Sequence, residues 1–96
     1  MIVEIQCLAN PPGTPAEPWL HIEAAIRVIQ ESGLRYEVSA LGTTFEGPPD
    51  ACWPVARRVH EACLEAGARS VVTVIKVEQA AGEGGPTIDS LTAKYR

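Results

Sequence analysis

The chain reads as an α+β domain of element order β-α-β-β-α-β with a short helix appended, and three observations predict it. Its first residues alternate apolar and polar at the period of a strand. Two later stretches carry apolar residues at helical spacing, each closed by a glycine. Between and after them lie β-prone runs. An internal echo ties these together. Glu31 to Val38 and Glu65 to Val72 both read E-x-G-x-R-x-x-V, each spanning a helix end and a strand start. Two such halves, joined by right-handed crossovers, predict a ferredoxin-like layout: a four-stranded antiparallel sheet with both helices on one face.

Each element follows in order. From Ile2 to Leu8, Val3, Ile5 and Cys7 fall on one side and Glu4, Gln6 and Leu8 on the other. Asn10-Pro11-Pro12-Gly13 ends this strand. Thr14-Pro15-Ala16-Glu17 has the form of a capping box and predicts a helix start there, with Pro18 in its first turn. Ile22, Ala25, Ile26 and Ile29 mark the buried stripe, and Gly33 the left-handed stop. A hairpin follows, with strands over Tyr36 to Leu41 and Thr43 to Glu46. Gly47-Pro48-Pro49-Asp50 breaks it and starts a second helix. That helix buries Cys52, Ala56, Val59 and Cys63, keeps Pro54 in its first turn, and ends at Gly67. Ser70 to Val77 is the most β-prone run in the chain. A glycine-rich loop then leads to a short terminal helix starting near Thr87.

Strand parity leaves one sheet face without helices. It should carry Glu4, Gln6 and Leu8, then Glu37, Ser39 and Leu41, then Thr44 and Glu46, with Val72 and Val74. This mixture is too apolar for plain solvent-facing surface and too polar for a closed core. Sheet packing between subunits, as a homodimer or homotetramer, is the expected solution.

Composition narrows the function. Ninety-six residues form one domain, 1–96, of ordinary globular make-up: 46% apolar and 21% charged. A net charge of −4 argues against capture of nucleic acid or anionic membrane and tolerates a cationic ligand. No apolar run approaches the ~20 residues of a membrane span. With no basic leader before the first strand, the cytoplasm is the expected compartment. Cys7, Cys52 and Cys63 have no paired spacing and read as free packing thiols.

The usual signatures of chemistry are incomplete. His60 and Cys63 stand three apart on one helix, too few for a zinc site. His21-Ile22-Glu23 is half of a deaminase signature without its cysteine half. There is no nucleophile elbow, and the glycine runs lack a phosphate-loop lysine. Tyr36 and Phe45, the hairpin aromatics, point toward the helices rather than to an RNA-binding face. What remains is a polar set around the hairpin: Thr43, Thr44, Glu46, Ser39, Glu37 and Gln6. A carboxylate can hold an exocyclic amine or a protonated ring nitrogen, and hydroxyls and an amide can satisfy the other ring atoms. Trp19, Trp53 or Tyr36 could supply a flat wall.

In these same residues the chain resembles the MTH1187/YkoF-like family of small thiamine-binding proteins, also called DUF77 or UPF0045. The resemblance runs through Met1-Ile2-Val3-Glu4-Ile5, Ser32-Gly33-Leu34-Arg35-Tyr36-Glu37, Gly42-Thr43-Thr44-Phe45-Glu46-Gly47, Val59-His60-Glu61-Ala62 and Val71 to Val77. It implies the ferredoxin-like fold, assembly by sheet packing, and binding of thiamine or its hydroxymethylpyrimidine part without catalysis and without a cofactor. The family's G-T-x-x-E-G motif falls on Gly42, Thr43, Glu46 and Gly47, which makes Thr43 and Glu46 pocket residues. On this reading Glu46 holds the pyrimidine edge and Glu37 balances the thiazolium. Since Thr43 and Glu46 fall on opposite faces of their strand, a ligand touching both sits at the strand's end or edge. Two other readings compete: a regulatory or structural oligomer whose open sheet face takes a protein, and a small enzyme acting on a heteroaromatic ring.

Overall fold

The computed structural model describes residues 1–96. The elements are β1 (Ile2–Asn10), α1 (Leu20–Glu31), β2 (Arg35–Val38), β3 (Thr43–Glu46), α2 (Pro49–Ala66), β4 (Ser70–Glu78) and α3 (Ile88–Thr92), with a 3₁₀ turn over Ala93–Tyr95. The four strands form one sheet in the order β2-β3-β1-β4, every neighbouring pair antiparallel. This is the ferredoxin-like arrangement.

The register shows why the faces divide as they do. Val3 pairs with Phe45 and Val77, and Ile5 with Thr43 and Ile75, so these side chains share the face beneath α1 and α2. Phe45, Val3, Ile29, Val59, Cys52 and Cys63 are the largest fully enclosed residues there. Burying side chains of this kind stabilises the fold by roughly 1.5–3 kcal/mol each. On the other face Glu4 pairs with Thr44 and Lys76, Gln6 with Val74, and Leu8 with Val72. Leu8 and Val72 remain 51% and 63% exposed.

Both echo glycines do the same work. Gly33 and Gly67 follow α1 and end α2 with φ of +80° and +128°, angles that a residue with a Cβ adopts only under strain.

Three local expectations need correction. Helix α1 begins at Leu20, not near Thr14. The Thr14 hydroxyl does accept from the Glu17 amide at 3.0 Å, but it closes a turn. Pro18 disfavours helical backbone at Glu17 and brings no amide of its own, so the box cannot propagate. Strand β2 stops at Val38, three residues early, because Ser39 donates to the Gly42 carbonyl at 2.9 Å and starts the reversal. Pro54 lies in the second turn of α2, where its missing N–H leaves one helical acceptor unused.

The C-terminal segment binds the sheet from the side away from α1 and α2. A reciprocal capping box between Thr87 and Ser90 starts α3. Asp89 receives Arg35 at 2.8 Å and Arg96 at 2.9 Å, and Arg35 and Arg96 both also reach Glu37. Glu46 Oε2 accepts the Ile88 amide at 3.2 Å, and Ile88 is buried. By register, Arg35, Glu37 and Glu46 all belong to the face that the helices leave open. No helix is long and apolar enough to cross a membrane.

Candidate functional site

The site arises where the sheet is incomplete. Strand β1 pairs with β4 along all of Ile2 to Asn10, but with β3 only from Ile2 to Ile5. From Gln6 onward, its β3-side edge faces no strand. A strand edge of this kind presents backbone donors and acceptors without strand partners. The reversal Ser39 to Gly42 curls over this gap, and helix α1 closes it from above. The result is a cavity of about 580 Å³ between α1, the exposed half of β1 and the hairpin turn. Because it lies at a gap, residues of both strand parities reach it: Cys7 and Ala9 from the helix side, Gln6 and Leu8 from the other.

Its walls follow from the helical stripe. Ala25 and Ile29 are buried, whereas Ile22 and Ile26, predicted as core, are only half-buried because they face the cavity. Small Ala25 leaves the room that a larger side chain would fill. Trp19, at the N-cap of α1, stands at the rim and is 62% exposed. The loop carrying it is fastened by His21. His21 Nδ1 donates to the Pro11 carbonyl at 2.6 Å and its amide to the Pro12 carbonyl at 2.9 Å. This buried histidine is therefore a clamp on the loop. Gly42 packs closely on β1: a Cβ there would meet the Ile5 carbonyl oxygen at 3.2 Å, so the turn would have to shift by a few tenths of an ångström to take one.

Polar groups are few. Thr43 is only 4% exposed, and its hydroxyl bonds to no protein group. No sealed side-chain polar atom lacks a partner, so this hydroxyl opens into the cavity. Ser39 and Gln6 line the same space, and Glu23 stands on the first turn of α1 beside it. Cys7, on the floor, receives the Thr73 hydroxyl at 3.8 Å, and Thr73 in turn bonds His60 Nδ1 at 2.6 Å. Below them, burial and then the neighbouring Cys7 push the Cys63 thiol up to about 12. Cys52 is likewise raised by burial. All three cysteines are free.

The six residues singled out from sequence do not form one pocket. Thr43, Ser39 and Gln6 converge on the cavity; Glu46, Thr44 and Glu37 do not. Glu46 ends β3, three residues and about 10 Å of extended chain from Thr43, and it faces a separate recess beside Met1 and the loop 79–87. Its carboxylate is already engaged by Ile88, and that of Glu37 by Arg35 and Arg96. Thr44 lies between Glu4 and Glu37 on the opposite sheet face. The reason is strand geometry: a four-residue strand sends its end residues to different faces and different ends. Of the aromatic candidates only Trp19 reaches the cavity; Trp53 lies half-exposed on α2 and Tyr36 packs against the core. Glu23 and the free edge of β1 were not singled out for binding. The charge of Glu23 beside Ile22 and Ile26 was the available sign.

Comparison with known proteins agrees with this fold. Residues 6–96 match the model of the thiamine-binding protein family. A UPF0045 protein of Clostridium perfringens is 32% identical over 75 residues, covering 78% of this chain and 77% of the relative. The chain therefore belongs to the thiamine-binding protein (UPF0045) family. Among solved structures, a DUF77 domain of unknown function from Bacillus cereus superposes with a TM-score of 0.87 at 36% identity, covering 99% of this chain and 88% of that one. A Thermotoga maritima protein, named for a proposed place in thiamine biosynthesis or salvage, gives a TM-score of 0.77 at 26% identity over the full length of both chains.

Proposed function

We propose that this protein binds thiamine, or its hydroxymethylpyrimidine part, without transforming it, in the cavity between α1, β1 and the hairpin turn. The observation that carries the reading is the cavity itself: about 580 Å³, mainly apolar, with an unpartnered threonine hydroxyl inside it. Ligand sites are usually concave and apolar, about 300–1,000 Å³, with a few well-placed polar groups. In this reading Trp19 stacks on a ring. Thr43, Ser39 and Gln6 satisfy the aminopyrimidine edge together with the free backbone of β1. Family membership supports the ligand class.

Binding without turnover is the simpler reading of this residue set. Cys7 is the one thiol that lines the cavity, and no base touches it directly: His60 is reached only through the Thr73 hydroxyl, which donates to the sulfur at a long 3.8 Å. A thermal-shift series with thiamine and hydroxymethylpyrimidine tests the proposal. Ligand in excess of its Kd must raise Tm. No shift with either overturns it.

We further propose that a second copy of the chain covers the β1–β4 half of the open face. Leu8, Val72 and Val74 form an exposed apolar strip there, and the nearby Glu4–Lys76 pair, 3.3 Å apart, can exchange partners across a two-fold axis. Light scattering on the wild type and on Val72→Glu tests this: an oligomer is expected for the first, and smaller species for the second. A monomeric wild type would overturn it.

A further inference from the structure

We infer that the cavity is a charge filter, built to admit a neutral or cationic heteroaromatic ligand and to refuse the same ligand once phosphorylated. The inference rests on the cavity being the ligand site. Among its 18 lining residues, Glu23 is the one charged side chain, and none is Lys, Arg or His. Arg27, next to Ile26 in the chain, and Arg69, whose amide meets the Asn10 carbonyl at the end of β1, lie outside that lining.

Anion sites without basic side chains use the free amides of a helix start. Helix α1 begins at this rim, and two of its three orphan amides are already engaged, which leaves that of Ile22 without a partner. Leu20 N–H donates to the Glu17 carbonyl at 3.1 Å and His21 N–H to the Pro12 carbonyl at 2.9 Å, while Glu23 N–H to Trp19 at 2.8 Å is the first ordinary bond of the helix. Glu23 then sets a negative charge on that same first turn. The two Pro-rich segments before α1 thus do more than delay the helix: they fold the Pro12 and Glu17 carbonyls back onto two of its three orphan amides and weaken it as a phosphate site. The net charge of −4 acts in the same direction.

A diphosphate brings two to three further negative charges to this rim. Each interacts unfavourably with Glu23 over several ångströms of water-screened space, which sums to about a tenfold or greater loss of affinity at low salt. The gap must shrink as salt rises.

The test is calorimetry on the full chain with thiamine, thiamine monophosphate and thiamine diphosphate, at low and high salt. It is run on the wild type, Glu23→Gln and Glu23→Lys. Glu23 is exposed, and both variants keep a good helix former at the position. Expected is affinity falling from thiamine to monophosphate to diphosphate, with the spread narrowed by Gln and reduced further by Lys. Equal or tighter diphosphate binding by the wild type overturns the filter while leaving the ligand proposal standing, as does a spread that Glu23→Lys leaves unchanged. Absence of binding by thiamine itself overturns the ligand proposal, and the filter with it.

Discussion

Thr43 allows a substitution that separates binding from folding. Most buried threonines cannot be tested cleanly, because removing the hydroxyl also breaks a bond within the protein. Here the hydroxyl has no protein partner, and the residue is 4% exposed on the helix-facing side of β3, paired with Ile5. Thr43→Val keeps the shape and the β-branch and deletes only the polar atom. The free protein should then lose no hydrogen bond, so its stability should change by about 0.5 kcal/mol or less. A ligand that uses the hydroxyl should lose a neutral hydrogen bond, about 0.5–1.5 kcal/mol. That corresponds to a Kd raised roughly two- to twelvefold. Urea denaturation of the free protein and calorimetry with thiamine read the two quantities separately. Unchanged affinity would remove Thr43 from the site. Destabilisation by more than about 1 kcal/mol would show that the hydroxyl has a structural partner and refute the geometric argument.

Other consequences follow from the surroundings. Glu46→Gln should leave thiamine affinity within about twofold and instead speed protease cleavage after residue 87, since Glu46 accepts the Ile88 amide. A fall in affinity would return Glu46 to the site. Hydrogen bonds from Arg35 and then Arg96 hold the Asp89 carboxyl below its ordinary 3.8. A carboxylate depressed in the folded state contributes stability above its unfolded pKa and loses it as pH falls through the lower folded value. Docking of α3 should therefore persist at pH 5 and weaken below 3.8, followed by the Asp89 and Ile88 resonances in an NMR titration. Loosening already near pH 5 would contradict it. The raised Cys63 thiol has the opposite sign. Its contribution is intact below about 9 and lost as pH rises toward about 12, so Tm should decline across that alkaline range. In native protein a thiol reagent should label Cys7 first and Cys52 and Cys63 only on unfolding. Bound thiamine should slow the Cys7 reaction, because Cys7 lies on the cavity floor.

Much of the architecture was legible in the residues because it depends on local periods. Alternation along β1 placed Val3 and Ile5 inward, the spacing of Cys52, Ala56, Val59 and Cys63 gave the buried face of α2, and the repeated glycine marked both helix ends. Parity also assigned the two sides of the hairpin: Phe45 and Thr43 inward, Thr44 and Glu46 outward. The G-T-x-x-E-G run pointed to Thr43, which the structure puts in the cavity.

The limits were equally physical. Capping and proline rules compete when Thr14, Pro15 and Pro18 occur together, and the outcome depends on where the loop is fastened. His21, Pro11 and Pro12 decide that through contacts no period encodes. The cavity exists because β1 is longer than its pairing with β3. That mismatch depends on register, which single strands do not reveal. Whether Glu37 and Glu46 face a ligand or their own C-terminus depended on where Asp89 and Arg96 fold back, contacts 42 to 59 residues apart in sequence. The sequence by itself determined the elements, their faces and the family, since these follow from short-range periodicity and local motifs. Only the tertiary structure decided which polar residues share one cavity, because that rests on where strands end relative to one another and on which charges the chain has already paired with itself.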